Sequence, residues 1–257
     1  MPTFVRYRAE SSNNDGPSEL LWADCPWDEM GQHPGVGYRY WNDFLGCEDV
    51  TTGDGYTITA ENSGGIAKAD ILGGVLVCDS AGNNAADDGV NVQILGENWI
   101  PAANKTLWYE TRVKFSDVAT TPDQFFIGLC TTDTTIIDAG ALDEANNSMI
   151  GFYTDVNTTA GQIEFIVDKA SSVEIDDDAV PVAANLTFYK LGFKVYTDLE
   201  DQQLKVDYFV DGVKVGTMTD TDDIPIVLMT LSYVAQVEQT SADAEMYVDW
   251  VRVAQLR

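Results

Sequence analysis

The chain has 257 residues, 45% of them hydrophobic, so it is long enough and apolar enough to bury the core of one large domain. Its 14 basic residues are outnumbered by 42 acidic residues, which gives a formal net charge of -28 at pH 7. A strongly acidic protein repels the phosphates of nucleic acids and of anionic lipids, so we expect neither a nucleic acid nor a membrane as a partner.

The first forty residues differ from the rest of the chain, and we expect them to form an irregular arm (residues 1–40). They mix Pro, Gly, Asn and Asp with isolated aromatic residues and lack a regular alternation of polar and apolar positions. Their aromatic content is too high for a disordered tail, so the arm either packs on its own domain or docks on another subunit. Docking is favoured because MPTFVRYR combines basic and aromatic side chains. The residues expected to contact a partner are Phe4, Arg6, Tyr7, Arg8, Trp22 and Trp27.

The sequence also predicts where the protein is made and whether its cysteines are reduced. The N-terminal stretch lacks the apolar segment of a secretory signal, and no run reaches the length that spans a membrane, so we expect synthesis in a cytoplasm without export. The cysteines are widely spaced and form no CxxC pair, which argues against a zinc site and against a disulfide scaffold. Cys78 and Cys130 lie in apolar runs and are expected to be reduced core residues. The four cysteines are Cys25, Cys47, Cys78 and Cys130.

From residue 41 onward the pattern is that of β-strands. LWYETRVKF (107–115) and TFYKLGFKVYTD (187–198) alternate polar and apolar residues with a period of two, which is typical of half-buried strands. In KVDYFVDGVKVGTM (205–218) an Asp-Gly pair predicts a hairpin turn. Many short strands separated by turn residues predict an all-β fold, an antiparallel two-sheet β-sandwich over residues 41–257.

An acidic run, VEIDDD (173–178), is the strongest candidate for catalysis. Alternation along a strand would place Glu174, Asp176 and Asp178 on one face, and retaining glycosidases need two carboxylates at short separation. The third acid is an Asp, one methylene shorter than Glu, and no aromatic residues flank the run to bind a sugar ring. We therefore expect a solvated hairpin here and not a catalytic site.

Other motifs give weaker signals. The single histidine, His33, lies in an irregular segment without a spaced Ser or Cys partner, so it cannot be assigned as a catalytic base. The segment SAGNNAADDG (80–89) offers oxygen ligands for a metal, but Asn, Asp and Gly are also ordinary turn residues. We expect no enzymatic activity, no cofactor and no metal.

The closing strand, MYVDWVRV (246–253), carries an acid in an apolar run. Strict alternation places Asp249 on the face of Tyr247 and Val251, with Arg252 on the opposite face. If Asp249 is buried, it needs a donor such as a backbone N–H, a tyrosine hydroxyl or an arginine other than Arg252.

Several of these strands resemble those of the concanavalin A-like lectin/glucanase jelly roll. The similarity lies in MYVDWVRV, in LWYETRVKF, in FFIGLCTTD with MIGFYTD, and in FYKLGFKV with DYFVDGVKVGTM. The resemblance implies a jelly-roll sandwich in which Asp249 has a structural role. The acid triad of its glucanases is incomplete and no calcium loop is evident, so the enzymatic and calcium-lectin activities of that superfamily are not carried over.

Within that superfamily, YWNDFLG (40–46) and GGVLVCDSAGNNAADDGVNVQ (73–93) are similar to segments of virion proteins of tailed phages, and the likeness spans about residues 40 to 257. This resemblance implies a non-enzymatic virion structural protein, a capsid decoration or cement protein on the outer capsid surface. Its partners would be the major capsid protein and copies of itself in a homotrimer.

A carbohydrate-binding, lectin-like adhesin for a host-surface glycan is the alternative. Trp99 or Trp108 could stack on sugar rings, although core packing is the more usual role of a large aromatic residue. A glycoside hydrolase that uses the acidic run is a third and weaker hypothesis.

Overall fold

The computed structural model describes residues 15–45, 55–62, 64–69, 74–80, 88–118, 123–138, 140–170, 172–237 and 244–257. These residues form two large antiparallel sheets packed face to face, which confirms the predicted all-β sandwich. No helix among them is long and apolar enough to cross a membrane.

The elements follow one another in chain order. The helix is α1 (Trp27–Gln32), and the strands are β1 (Gly37–Asn42), β2 (Tyr56–Glu61), β3 (Gly65–Ala69), β4 (Val75–Asp79), β5 (Asp88–Ile94), β6 (Leu107–Phe115), β7 (Gln124–Cys130), β8 (Ile137–Asp138), β9 (Ala141–Leu142), β10 (Ser148–Thr154), β11 (Ile163–Lys169), β12 (Val173–Val180), β13 (Tyr189–Thr197), β14 (Leu204–Val210), β15 (Val213–Met218), β16 (Thr230–Val237) and β17 (Glu245–Leu256).

The strand order defines two sheets and their edges. Sheet A runs β15-β14-β13-β6-β17-β4-β3, and β1 pairs with the second half of β17. Sheet B runs β12-β11-β10-β7-β16-β5-β2. At one side of the sandwich β12 therefore lies near β15, and at the other side β1 lies near β2 and β5.

The core lies between the sheets and follows the predicted alternation. In β6, Leu107, Tyr109 and Phe115 face inward and are almost fully buried, as their spacing predicts. They pack against β7 side chains of sheet B, including Phe125 and Ile127. Full burial of one large apolar side chain contributes about 1.5–3 kcal/mol, so this interior is the main source of stability.

The predicted hairpin turn is present between β14 and β15. Asp211 and Gly212 both have positive φ, 50° and 79°, which a type I′ turn requires of its two central residues. The Asp-Gly pair therefore sets the register of the two strands at the edge of sheet A.

Residues 15–36 cover the outer face of sheet A. Leu21 and Met30 pack on Trp108 of β6 and on neighbouring strands. The buried carboxylate of Glu110 holds this cover, since it accepts hydrogen bonds from the backbone N–H of Ser18 at 3.0 Å and from Trp22 Nε1 at 2.7 Å. Burial raises the pKa of Glu110, against the effect of these donors. The described part of the predicted arm thus packs on its own domain.

The predicted boundary between residues 40 and 41 falls inside β1. This strand spans Gly37–Asn42 and pairs antiparallel with the end of the chain, with Gly37 opposite Leu256 and Asn42 opposite Val251. The sandwich therefore takes a strand partly from residues assigned by sequence to the arm.

The outer face of sheet B also carries a cover. Ile136, Ile137 and Leu142, in and around the β8–β9 ribbon, pack on Phe126 and Met149 of the sheet. The middle of this face is therefore apolar and closed.

The closing strand contains a β-bulge that strict alternation does not predict. The register of β17 against β6 shifts between Val248 and Trp250, so Val248 and Val251 both reach the core. The expectation that Asp249 shares a face with Val251 was therefore wrong, because the bulge adds a residue between them.

Asp249 has the arginine partner that its burial requires. Arg112 Nη1 lies 2.5 Å from Asp249 Oδ2, and Arg112 Nη2 lies 2.9 Å from Asp15. Burial raises the pKa of Asp249, and the Arg112 guanidinium opposes that shift. Arg252 lies elsewhere, over the rings of Trp22 and Trp27. Asp249 thus joins β17 to β6 and to the arm.

Three of the four cysteines fall in the described part of the chain. Cys78 and Cys130 are buried free thiols, as their apolar runs predict, and burial raises the pKa of both. Cys25 is a half-buried free thiol, and burial raises its pKa to about 12. Cys47 lies outside the described residues.

Candidate functional site

The acidic run forms β12, the edge strand of sheet B, and its side chains connect the two sheets. Glu174 Oε2 accepts hydrogen bonds from the backbone N–H groups of Thr219 and Asp220 at 3.1 and 3.2 Å. These two residues directly follow β15 of sheet A. Glu174 therefore joins the edges of the two sheets.

Alternation does not hold along the whole acidic run. Asp176 accepts a hydrogen bond from the hydroxyl of Tyr208, a core residue of sheet A. Burial raises the pKa of Asp176, as do the adjacent charges of Asp178 and Asp177. The pairing of β11 with β12 shifts register beyond Asp176, so regular alternation ends there and Asp178 is exposed.

We call this region the acid edge; it consists of β12 residues 174–178 and their partners on β14 and after β15. An open cleft of about 690 Å³ lies beside it. The cleft is lined by Thr159, Gln162, Ile175, Asp176, Asp177, Asp178, Tyr208 and Met218, and so by acids without a basic residue. Within the described ranges no three His, Cys, Asp or Glu residues are placed to hold a metal ion.

The opposite side of the sandwich holds a different cleft. It lies where β1 of sheet A faces the end of β5 and the loop that follows, and its volume is about 430 Å³. Pockets for small ligands measure about 300–1,000 Å³, so this cleft is of ligand size. We call it the aromatic cleft; its lining residues are Tyr38, Arg39, Tyr40, Ile94, Asn98, Trp99 and Arg257.

Two stacked rings form the floor of the aromatic cleft. The rings of Tyr38 and Trp99 lie 4.9 Å apart between centroids, with an angle of 25° between their planes. Trp99 is only 4% exposed. Its backbone N–H donates to the Met229 carbonyl oxygen at 3.1 Å, and the Met229 N–H donates to the Trp99 carbonyl oxygen at 2.8 Å. The floor is therefore held by ring packing and backbone hydrogen bonds, and the partly exposed Tyr38 ring is the part that a ligand can reach.

Hydrogen bonds fix the two tyrosines of β1. The Tyr38 hydroxyl lies 2.7 Å from the Asn98 carbonyl oxygen and 2.6 Å from Gln255 Oε1. The Tyr40 hydroxyl lies 2.7 Å from that of Tyr56 on β2, a contact that joins sheet A to sheet B. Burial raises the pKa of Tyr38 and of Tyr40, so both hydroxyls are neutral at physiological pH.

Two arginines lie at the aromatic cleft. The register of β1 and β17 places Arg257 on the face of Tyr38, and its guanidinium carbon lies 5.9 Å from the centre of that ring. Arg39 also lines the cleft, but alternation along β1 places its side chain on the face opposite Tyr38, where its Nη1 donates to the Trp27 carbonyl at 2.9 Å. Among the described residues, no Asp or Glu is within ion-pair distance of either arginine.

The predicted partner-binding residues are only partly described. Trp22 and Trp27 contact each other edge to face at 5.4 Å and pack against sheet A. That they bind a second protein stays a prediction. The other four, Phe4, Arg6, Tyr7 and Arg8, lie outside the described residues.

The two tryptophans considered for sugar stacking have different surroundings. Trp108 is buried under the arm, where its Nε1 donates to Asp24 at 3.1 Å, so no sugar can stack on it. Trp99 lies in the floor of the aromatic cleft. His33 is exposed at the end of α1, and most of the 80–89 segment lies outside the described residues.

Sequence reasoning missed Tyr38, Tyr40 and Arg257. The run YRYW (38–41) alternates in the manner of a strand, and this signal was available within a segment interpreted as irregular. The position of Arg257 beside Tyr38 depends on strand pairing over more than 200 residues of sequence, which no local pattern contains.

No protein-family model and no curated protein sequence matches the chain. Its structure is similar to the endo-1,3-β-glucanase from Streptomyces sioyaensis, with a TM-score of 0.58 and 12% identity over 87% of this chain and 98% of the glucanase. It is similar to the carbohydrate recognition domain of Emp47p, with a TM-score of 0.54 and 11% identity over 84% and 94% of the two chains.

A third similar structure is a carbohydrate esterase from the Shiga toxin-encoding bacteriophage phi24B, with a TM-score of 0.50 and 12% identity over 79% and 91% of the two chains. Together these likenesses confirm the concanavalin A-like lectin/glucanase jelly-roll fold. At such identities they show the fold alone, and the resemblance to phage virion proteins stays a prediction.

Proposed function

We propose that the protein binds carbohydrate in the aromatic cleft and does not catalyse a reaction there. Sugar rings present apolar C–H faces that pack on aromatic rings, and their hydroxyls bond to polar groups at the margin. The aromatic cleft offers both, with Tyr38 and Tyr40 beside Asn98. This combination of ring faces, polar groups and open space of ligand size is the observation that carries the proposal.

The chemistry of the lining supports binding without catalysis. Hydrolysis of a glycosidic bond generally uses two carboxyl groups about 5–9.5 Å apart, one of them a general acid. The described lining of the aromatic cleft contains neither Asp nor Glu. At the acid edge, Glu174 and Asp176 accept hydrogen bonds that join the sheets, so using them in catalysis would break structural contacts.

A glycan array followed by isothermal titration calorimetry tests this proposal. We expect saturable binding of an oligosaccharide, weakened at least tenfold by Tyr40→Ala. Tyr196→Ala is the matched control, because Tyr196 lies on β13 and bonds to Asp207 at 3.3 Å, away from the cleft. Circular dichroism verifies that both variants are folded. The absence of binding to any glycan, or equal losses in both variants, would overturn the proposal.

A second candidate is the virion role implied by the sequence resemblance. Three consecutive apolar residues, Ile226, Val227 and Leu228, are 57%, 40% and 46% exposed, which is unusual on a chain of net charge -28. An exposed apolar strip of this kind favours contact with another protein. On this proposal the protein decorates the outer surface of a phage capsid as a homotrimer bound to the major capsid protein.

Light scattering and co-sedimentation test the virion proposal. A trimer that sediments with capsids lacking it would support the proposal, as would loss of sedimentation in Val227→Asp. A monomer that stays in the supernatant would contradict it. Because a cement protein can also bind glycans, this outcome is independent of the carbohydrate test.

A further inference from the structure

We infer that the aromatic cleft selects an acidic saccharide, one that carries a carboxylate or a sulfate, and that Arg257 binds its charge. The inference rests on the proposed carbohydrate binding and adds the chemical class of the ligand. Basic residues are scarce in this protein, 14 against 42 acidic residues, so their positions are informative.

Some of the described basic side chains have a carboxylate partner and others do not. Lys194 and Lys214 each form one ion pair, and Lys205 and Arg112 each form two, at distances of 2.5–2.9 Å. The described basic residues that form none with the described residues are Arg39, Lys105, Lys114, Lys169 and Arg257, and of these Arg39 and Arg257 line the aromatic cleft. The lining of this cleft therefore contains two arginines and no Asp or Glu side chain, so the Arg257 guanidinium is open to an anionic group of a ligand.

The position of Arg257 suits a ligand bound over the Tyr38 ring. Its backbone N–H donates to the Val36 carbonyl at 3.1 Å, which extends the pairing of β17 with β1 and holds the residue at the cleft. A guanidinium donates two parallel hydrogen bonds to a carboxylate or sulfate. A sugar stacked on Tyr38 would place an acidic substituent within reach of this group.

Arg39 contributes in a different way. Its guanidinium lies 4.9 Å from the Trp27 ring and is bound to the Trp27 carbonyl, so it is held against α1 on the other face of β1. From there it adds positive potential without direct contact with the ligand. Arg257 is therefore the residue that binds the anion, and the effect of Arg39 should be smaller and more sensitive to salt.

The test compares oligosaccharides that differ only in charge. β-1,4-linked tetraglucuronate and cellotetraose share a backbone, and the first replaces each C6 hydroxymethyl by a carboxylate. Calorimetry at 50 mM salt should show the uronate binding roughly tenfold more tightly, which corresponds to about 1.4 kcal/mol. A sulfated cellotetraose shows whether sulfate replaces carboxylate.

Variants assign the effect to one side chain. Arg257→Gln should remove the preference for the acidic ligands, Arg257→Lys should keep part of it, and Arg39→Gln should reduce it by less than Arg257→Gln. Lys169→Gln is the matched control, because it removes a charge on β11, outside the cleft. Equal affinity of the wild type for the neutral and acidic tetrasaccharides would overturn the inference and leave the proposed carbohydrate binding intact. Binding of none of the three ligands, and of no glycan on the array, would overturn both.

Discussion

The two edges of the sandwich bring the same two sheets together with opposite results. At the acid edge, Glu174 and Asp176 accept hydrogen bonds from groups of sheet A, so polar groups of the protein satisfy one another. At the aromatic cleft the sheets meet through the hydroxyls of Tyr40 and Tyr56, and ring faces and Arg257 remain beside open space. A functional site needs groups that are fixed but not already used, and only the second edge has them.

The linings of the two clefts also differ in their charged residues. The cleft at the acid edge is larger but lined by three consecutive aspartates, which repel one another and any anionic ligand. The lining of the aromatic cleft instead contains two arginines and no Asp or Glu, in a protein that is acidic overall. The acidic residues of the acid edge thus form structural contacts, whereas the aromatic cleft is the site at which we propose that a ligand binds.

The largest effect should come from the floor of the aromatic cleft. Trp99→Ala removes a buried indole and should lower the free energy of unfolding by about 3–5 kcal/mol. The matched control is Trp41→Ala, because Trp41 is 56% exposed on the same side of the molecule and should change stability by less than about 0.5 kcal/mol. Urea unfolding followed by circular dichroism measures both. Similar values for the two variants would show that the floor is not packed as described.

At the acid edge, the hydrogen-bonded contact between the two sheets should be lost when Glu174 is replaced. Glu174→Ala leaves two backbone N–H groups to water and should lower stability by about 1–2 kcal/mol. Hydrogen exchange at Thr219 and Asp220 should become faster. Asp178→Ala, at an exposed position of the same strand, is the control. Unchanged exchange in Glu174→Ala would contradict the structural role of this carboxylate.

A smaller effect is expected at the hydroxyl contact between the sheets. A double-mutant cycle with Tyr40→Phe and Tyr56→Phe should give a coupling energy of about 0.5–1.5 kcal/mol. Thermal and urea unfolding of the four proteins give this value. A coupling near zero would mean that the 2.7 Å contact does not hold the edge together.

The smallest effect is a pH dependence at the acid edge. Because burial and the charges of Asp178 and Asp177 raise the pKa of Asp176, the folded state favours its protonated form. Its contribution to stability is therefore greatest at low pH and declines as the pH rises from the ordinary aspartate pKa, about 3.9, through the raised value.

Asp176→Asn removes this decline. The melting temperature of the variant relative to wild type should therefore rise by about 1–2 °C between pH 3 and pH 7. Asp222→Asn, in the exposed turn after β15, should show no such trend. A relative melting temperature that falls with pH would contradict a raised pKa of Asp176 in the folded state.

The sequence predicts the sandwich well because its strands are local patterns. The alternation in 107–115 and the Asp-Gly turn at 211–212 are both present as predicted. The bulge at Asp249 was not predictable, since it is defined by the register of β17 against β6 and not by either sequence alone. The aromatic cleft was missed for a similar reason, because it joins residues near 40, 98 and 257.

The most direct test of carbohydrate binding in the aromatic cleft is an NMR titration of the ¹⁵N-labelled protein with tetraglucuronate. The six tryptophans give indole N–H signals in different parts of the molecule. If carbohydrate binds in the aromatic cleft, we expect a saturable shift of the Trp99 signal, whereas the signals of Trp108 and Trp250, on the outer face of sheet A, should not change. Shifts at Trp108 or Trp250 without one at Trp99, or no shift at saturating ligand, would contradict it.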